Sequence, residues 1–193
     1  MYQNLFTYIH NYIQSSLTIE EKEMIKSAFQ LKKLRRKQFF LQEGEIARYT
    51  AFISKGAMRQ YISDEKGGER IVNLFIENYW ATERESFTTL NPSRYNIDVW
   101  EDAELLIITR ESFMALAEKV PALIEMTRLM DDRNAIANQR RLTSTISYPA
   151  EKRYEDFVNN HPRFIERFPQ HFIASFLGIT KETLSRVKRQ SIK

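Results

Sequence analysis

Residues 170–189 read QHFIASFLGITKETLSRVKR. A helix-turn-helix frame laid on this stretch finds a suitable residue at each constrained position. Ile173 and Leu177 are apolar on the first helix, and Ala174 is small where two helices must cross closely. Gly178 stands at the turn, where a positive φ is easiest without a Cβ. Ile179 fills the core after the turn. Thr180 is placed to cap a second helix, with Glu182 and Thr183 in its first turn. Leu184 and Val187 point back inward, while Lys181, Glu182, Ser185, Arg186, Lys188 and Arg189 fall outward.

That outward face has the chemistry of a major-groove reader. Arg and Lys donate to guanine O6 and N7, and a Glu carboxylate accepts from cytosine N4. Threonine hydroxyls and a helix N-terminus suit phosphate. Charge supports this reading. The net charge is +4, and from Gln170 to Lys193 five basic residues face a single acid, leaving 24 basic and 24 acidic residues elsewhere. An excess confined to one terminus is expected at a polyanion site. An ordinary helical hairpin with a solvated face is the competing reading.

Upstream, Pro149 opens the segment, and helical runs are expected at 150–160, 170–176 and 181–190. From Glu111 to about Ser147 the pattern is helical and is broken or restarted at Pro121. Leu123, Met126, Met130 and Ala137 form one stripe, and Leu129, Ile136 and Thr143 a second, so this helix could cover the rest of the chain and pair with a second subunit. Arg133, Asn134, Arg140 and Arg141 dilute both stripes. From Gln38 to Thr109 short runs rich in Phe, Ile, Val, Tyr and Trp alternate with turn signals, which predicts a small sandwich or barrel. Gly44, Gly56, Gly67-Gly68 and Asn91-Pro92 are read as its breaks, with Lys66-Gly67-Gly68 a hairpin tip. Residues 4–29 read as helix, with Thr18 ahead of an acidic turn. The basic run Lys32-Lys33 and Arg35-Arg36-Lys37 before the first strand is read as a solvated edge, with a DNA contact as its alternative.

Composition excludes several classes. The 193 residues hold no Cys, so disulfides, Cys-ligated zinc, thiol nucleophiles and iron–sulfur clusters are out. His10, His161 and His171 all lie outside the strand region. A His-ligated cupin metal or a His-based triad in the barrel is therefore unsupported. No phosphate-binding glycine loop occurs. The carboxylate pairs Glu83 with Glu85 and Asp98 with Glu101 read as solvated strand edges rather than acid–base machinery. No apolar run is long enough for a membrane span and no signal peptide is visible, which predicts a cytoplasmic protein with no membrane partner.

In order, these parts are N-terminal helix, β-roll, long helix and helix-turn-helix. The chain resembles the Crp–Fnr family of bacterial transcription regulators over nearly its whole length. The sharpest likeness runs from Ile173 to Arg186, where Lys181, Glu182, Thr183 and Arg186 match the family's basic–Glu–Thr stretch and following Arg. Glu43-Gly44-Glu45 and Ile53-Ser54-Lys55-Gly56 resemble its early roll turns. The resemblance implies an α+β fold: a double-stranded β-helix (jelly-roll) sensor with N-terminal helices over 1–115, a long dimerisation helix over 116–147, and a winged-helix-like helix-turn-helix domain over 148–193. It implies that Lys181, Glu182 and Arg186 read bases while Thr180 and Thr183 hold phosphates. Ser185, Lys188 and Arg189 complete the DNA-binding set. Lys181 stands where the family often has Arg, which weakens bidentate readout.

The ligand cassette departs from the family. Nucleotide-binding members begin it with Gly-Glu and end it with Arg beside small residues. Here Glu83 and Arg94 could take those roles, with Phe87 and Tyr95 as further lining. Thr82 replaces the Gly, however, and Tyr95-Asn96 replace the small pair. The expectation is that cyclic AMP is not the ligand, that the effector is another small molecule or none, and that Glu83 and Arg94 form an ordinary surface or edge pair. Only Ser191-Ile192-Lys193 follow the recognition helix, so a wing, if present, must precede the motif at 163–170. The implied partners are double-stranded DNA with a near-palindromic operator, a second copy of the chain, and RNA polymerase. The expected function is non-enzymatic transcription regulation, and the alternative is a sensing or scaffold module whose hairpin binds protein.

Overall fold

The computed structural model describes residues 1–191. Helices α1 (Tyr2–Ile13) and α2 (Ile19–Ala28) lead into β1 (Gln30–Leu34), β2 (Phe39–Leu41), β3 (Tyr49–Ser63), β4 (Glu69–Phe75) and β5 (Trp80–Ala81). A short helix α3 (Arg84–Thr89) and strand β6 (Asn96–Thr109) follow, then α4 (Arg110–Lys119) and the long α5 (Pro121–Ser147). The chain ends with α6 (Ala150–Asn160), α7 (Pro162–Arg167), α8 (Gln170–Phe176) and α9 (Lys181–Ser191). All strands join one antiparallel sheet of order β1-β6-β3-β4, with β2 also on β6 and β5 on β3.

The helix expected over 4–29 is two helices. Gln14 takes a left-handed conformation (φ 56°) that ends α1, and Thr18 starts α2 with a full capping box. Thr18 Oγ1 accepts from the Glu21 amide while Glu21 accepts from the Thr18 amide, so the second nucleus is satisfied independently of the first.

The strands also differ from expectation. Gly56 does not separate two strands; it is a bulge within the single β3, with φ 98°. A Cβ there would lie 2.5 Å from the Asp102 carbonyl oxygen, so the glycine lets β3 bend against β6 at close range. The register between the two strands shifts around it. Opposite it, β6 runs unbroken through 101–104.

Alternation along β3 and β6 sends side chains to two cores. Ala51, Ile53, Leu105 and Ile107 face the inside of the roll with Leu34, Leu41 and Phe75. Phe52, Leu106 and Ile108 face outward onto α1, α2, α4 and the start of α5, meeting Leu5, Ile9, Ile25 and Leu123. A third core joins the outer face of β3 and β4 to the C-terminal helices. Tyr61, Ile71, Leu74 and Ile76 pack with Tyr154, Phe157, Phe164, Phe168, Phe172 and Ile173.

The long helix restarts at Pro121, as its N1 proline permits. Leu123 and Met126 are buried, but further along Ile136, Leu142 and Ile146 are exposed, the last at 75%. No strand follows β6 among the described residues. The segment left open for a wing, if one were present, 163–170, is mostly α7. Phe164 and Phe168, four apart, are both buried, a helical rather than a strand period.

Candidate nucleic-acid interface

Helices α8 and α9 form the expected hairpin, and their turn is fixed by several independent bonds. Gly178 sits at φ 66°. The Ile179 amide donates to the Ala174 carbonyl at 3.0 Å and the Gly178 amide to the Ser175 carbonyl at 3.1 Å, the pattern of a Schellman end. Two arginines from outside the motif add to it. Arg153 of α6 donates to the Leu177 carbonyl at 2.7 Å. Arg141 of α5 donates to the Val72 carbonyl of β4 at 2.6 Å and to the Phe176 carbonyl at 3.4 Å, and lies 4.1 Å from the Phe176 ring centroid. Burial lowers the Arg141 pKa. The C-terminal carbonyls of α8 thus face cations, as helix ends favour.

Thr180 caps α9. Its Oγ1 accepts from the Thr183 amide at 3.2 Å and donates to the Thr183 hydroxyl at 3.1 Å. The two hydroxyls assigned to phosphate therefore meet each other in the cap. The Glu182 carboxyl is held below its ordinary pKa by its own backbone amide and by the Thr180 hydroxyl. Leu184 and Val187 are buried against α6 and α8. Lys181, Glu182, Ser185, Arg186 and Arg189 are exposed, and Thr183 and Lys188 half-buried. The structure thus brings these residues onto one helix. Arg186 reaches toward Glu151 of α6, with a 3.8 Å separation between two solvated groups.

The hairpin is seated on the roll. Arg59 of β3 donates to Asp98 of β6 through Nε and Nη2, both at 2.8 Å, and to Glu69 of β4. Its guanidinium lies 4.4 Å from the Tyr61 ring and 4.5 Å from the Phe172 ring of α8. Burial opposes the Arg59 charge, but the bonds to both carboxylates outweigh it and raise the pKa. The Ile71 amide donates to the Ser175 hydroxyl at 2.9 Å. Arg167 of α7 bonds both Glu77 and Glu101. Burial would raise the Glu77 carboxyl, but Arg167 and the backbone amides of Glu77 and Gly56 hold it below its ordinary value. None of these ties was legible in the sequence. Each joins residues far apart in the chain, and an isolated Arg carries no signal of its partner.

The ligand cassette corrects one expectation. Glu83 does not pair with Arg94 at a surface. It is 5% exposed and caps α3, its two carboxylate oxygens accepting from the Glu85 amide at 3.0 Å and the Ser86 amide at 2.8 Å. A side chain that starts a short helix is drawn to the orphan amides beneath it. Arg94 is exposed, 3.5 Å from Glu85. Phe87 packs on the roll interior and Tyr95 is half-buried. Arg84, unmarked by the sequence, ties α3 to α5 through a two-point bond to Asp131.

Residues 31–120 match the cyclic nucleotide-binding domain family, so the roll and α4 are a domain of that class. Among solved structures, FixK2 from Bradyrhizobium japonicum superposes with a TM-score of 0.70 at 18% identity, covering 84% of this chain and 83% of that one. CooA from Carboxydothermus hydrogenoformans gives 0.68 at 16% identity, covering 96% and 83%. The Thermus thermophilus catabolite activator protein gives 0.56 at 20% identity, covering 95% and 85%. No curated protein matches in sequence. The chain has the Crp–Fnr fold: a cyclic nucleotide-binding-type roll, a long helix and a C-terminal helical region. Among the described residues no helix is long and apolar enough to cross a membrane.

Proposed function

We propose that this chain is a sequence-specific, DNA-binding transcription regulator of Crp–Fnr type, without enzymatic activity, acting in the cytoplasm as a homodimer. The observation that carries the reading is α9. Its apolar residues are spent on packing, its N-terminus is capped by Thr180, and its Lys181, Glu182, Ser185, Arg186 and Arg189 side chains stand in solvent. The exposed Ile136, Leu142 and Ile146 on α5 support pairing with a second copy. Two recognition helices would then enter successive major grooves about 34–36 Å apart on a near-palindromic site. Selection of bound duplexes from a random library at two salt concentrations tests this. An enriched inverted repeat is the expected product, and retention without sequence preference overturns the base-reading role.

Within the recognition helix, Arg186→Ala is expected to cost about 1–3 kcal/mol at the selected site and to relax preference at one base pair. Its partner Glu151 is too solvated to hold it back from DNA. Equal losses on selected and random duplexes in a competition titration would contradict base reading by Arg186.

The effector, if the roll takes one, is a molecule other than cyclic AMP. Both Glu83 oxygens are committed to α3 amides, and Arg94 stands in solvent beside Glu85. Millimolar cyclic AMP is therefore expected to leave the melting temperature unchanged. A ligand bound at a hundredfold excess over its Kd would add about 2.7 kcal/mol, an easily seen rise.

A further inference from the structure

Helix α5 is held to its own subunit in two separate stretches. Near its start, Leu123 and Met126 are buried against α1 and the outer face of the roll. Bonds from Arg84 and Tyr8, and the Tyr12 ring beneath Arg133, carry that hold as far as Arg133. From Asp132 to Arg140 every residue is exposed. The helix then meets the body again at Arg141, which is half-buried.

Arg141 joins three parts of the molecule with one planar group. Its Nη1 donates to the Val72 carbonyl of the roll at 2.6 Å, and its Nη2 to the Phe176 carbonyl of the hairpin at 3.4 Å. The guanidinium also lies 4.1 Å from the Phe176 ring centroid. Among the described residues no carboxylate compensates it, and burial alone acts on its charge. A cation that loses water without gaining a counter-ion is a poor stabiliser. What the rigid fork supplies is direction, because it fixes two carbonyls relative to its own helix as an apolar side chain cannot. Other ties at this end of α5 are few. The third core takes no side chain from α5 among the described residues, and the covalent link to α6 is Tyr148-Pro149.

The roll and hairpin therefore form one body, and Arg141 is the strut that sets its tilt against the far half of α5. From Arg133 to Ser147 the helix is a lever of about 21 Å. A swing of about 10° on that lever displaces the hairpin by about 3.7 Å, close to the 3.4 Å step of duplex DNA. We propose that Arg141 is a positioning residue that fixes the spacing between the two half-sites read by a pair of subunits. It touches no base; it decides how far apart the two α9 helices stand. This deepens the reading of the chain as a dimeric DNA-binding regulator and rests on it.

The test is a set of duplexes carrying the selected half-site as an inverted repeat, with the centre-to-centre distance varied by single base pairs around about one helical turn. Wild type, Arg141→Met and Arg141→Lys are titrated on each. The wild-type profile is expected to peak at one spacing and fall at least about tenfold one base pair away, since that offset also turns the half-site by about 35°. For Arg141→Met the ratio of peak to neighbour should shrink about 3–10-fold, the net worth of one hydrogen bond. Arg141→Lys, a point donor that reaches one carbonyl at a time, should fall between the two. Base preference within the half-site should be the same in all three proteins, which separates positioning from general damage to α9. Melting temperatures within a few degrees of wild type verify that the variants fold. A wild-type spacing profile in both variants, or a flattened profile with an equal loss of base preference, would overturn the proposal. Failure of wild type to select any inverted repeat would instead remove the dimeric DNA reading, and this proposal with it.

Discussion

Replacing Arg59 with alanine should cost about 3–5 kcal/mol of folding free energy, because it leaves a buried carboxylate without its cation. The Arg59 and Asp98 side chains are each only 10% exposed. Asp98 receives two guanidinium bonds at 2.8 Å and would keep neither. Glu69 is more exposed, so water can replace its share. Chemical denaturation measures the loss, and for a chain of this size each kcal/mol corresponds to about 2–4 °C in melting temperature. The pair Arg59→Met with Asp98→Leu should recover most of the loss, since removing both charges abolishes the unpaired ion. A loss below about 1 kcal/mol for the single change would mean that water screens the pair like a surface one.

A comparable loss is expected for Phe172→Ala, about 3–5 kcal/mol for a large buried ring. Phe172 is 4% exposed and fills the seam between α8 and the roll. It touches Trp100 edge to face and stacks on the Arg59 guanidinium. The cavity would open at the base of the hairpin, so DNA affinity should fall along with stability. Combined with Arg59→Ala the two losses should fall short of their sum by about 0.5–3 kcal/mol, because each change removes the contact the other depends on. Strict additivity in that double-mutant cycle would show that ring and guanidinium are energetically independent.

Much of this architecture is legible along the chain because its signals are local. The helix-turn-helix is the clearest case. Gly178, Thr180, Leu184 and Val187 each satisfy a requirement set by residues within one or two turns, and each sits where that requirement places it. The roll is legible as short apolar runs, but its strand lengths are not. Gly56 looks like punctuation in one dimension; only the approach of Asp102 from β6 makes it a bulge inside a longer strand. The segment 163–170, the one place the sequence left open for a wing, is mostly the short helix α7, and one helix turn after a proline has little periodicity to display. The family resemblance sets Glu83 with Arg94, whereas the donors to its carboxylate are the amides of its own helix. The seam of Arg59, Arg141, Arg153 and Arg167 is invisible in sequence, since all four find their partners across elements.

The third core has a consequence for modularity. Tyr61, Ile71 and Ile76 of the roll are covered by aromatic rings of the C-terminal helices, and Ser175 completes the hydrogen bonding of the β4 backbone. A chain severed at Pro149 would strip the lid from both halves at once. The roll would keep a wet apolar stripe, and the severed fragment would lose the floor on which Phe172 and Phe164 rest. The α8–α9 hairpin of this protein is therefore not a transplantable cassette. Grafting it onto another scaffold would have to carry the β3–β4 surface with it, and any sequence drift in that strand pair is constrained by the helices it supports rather than by the roll alone.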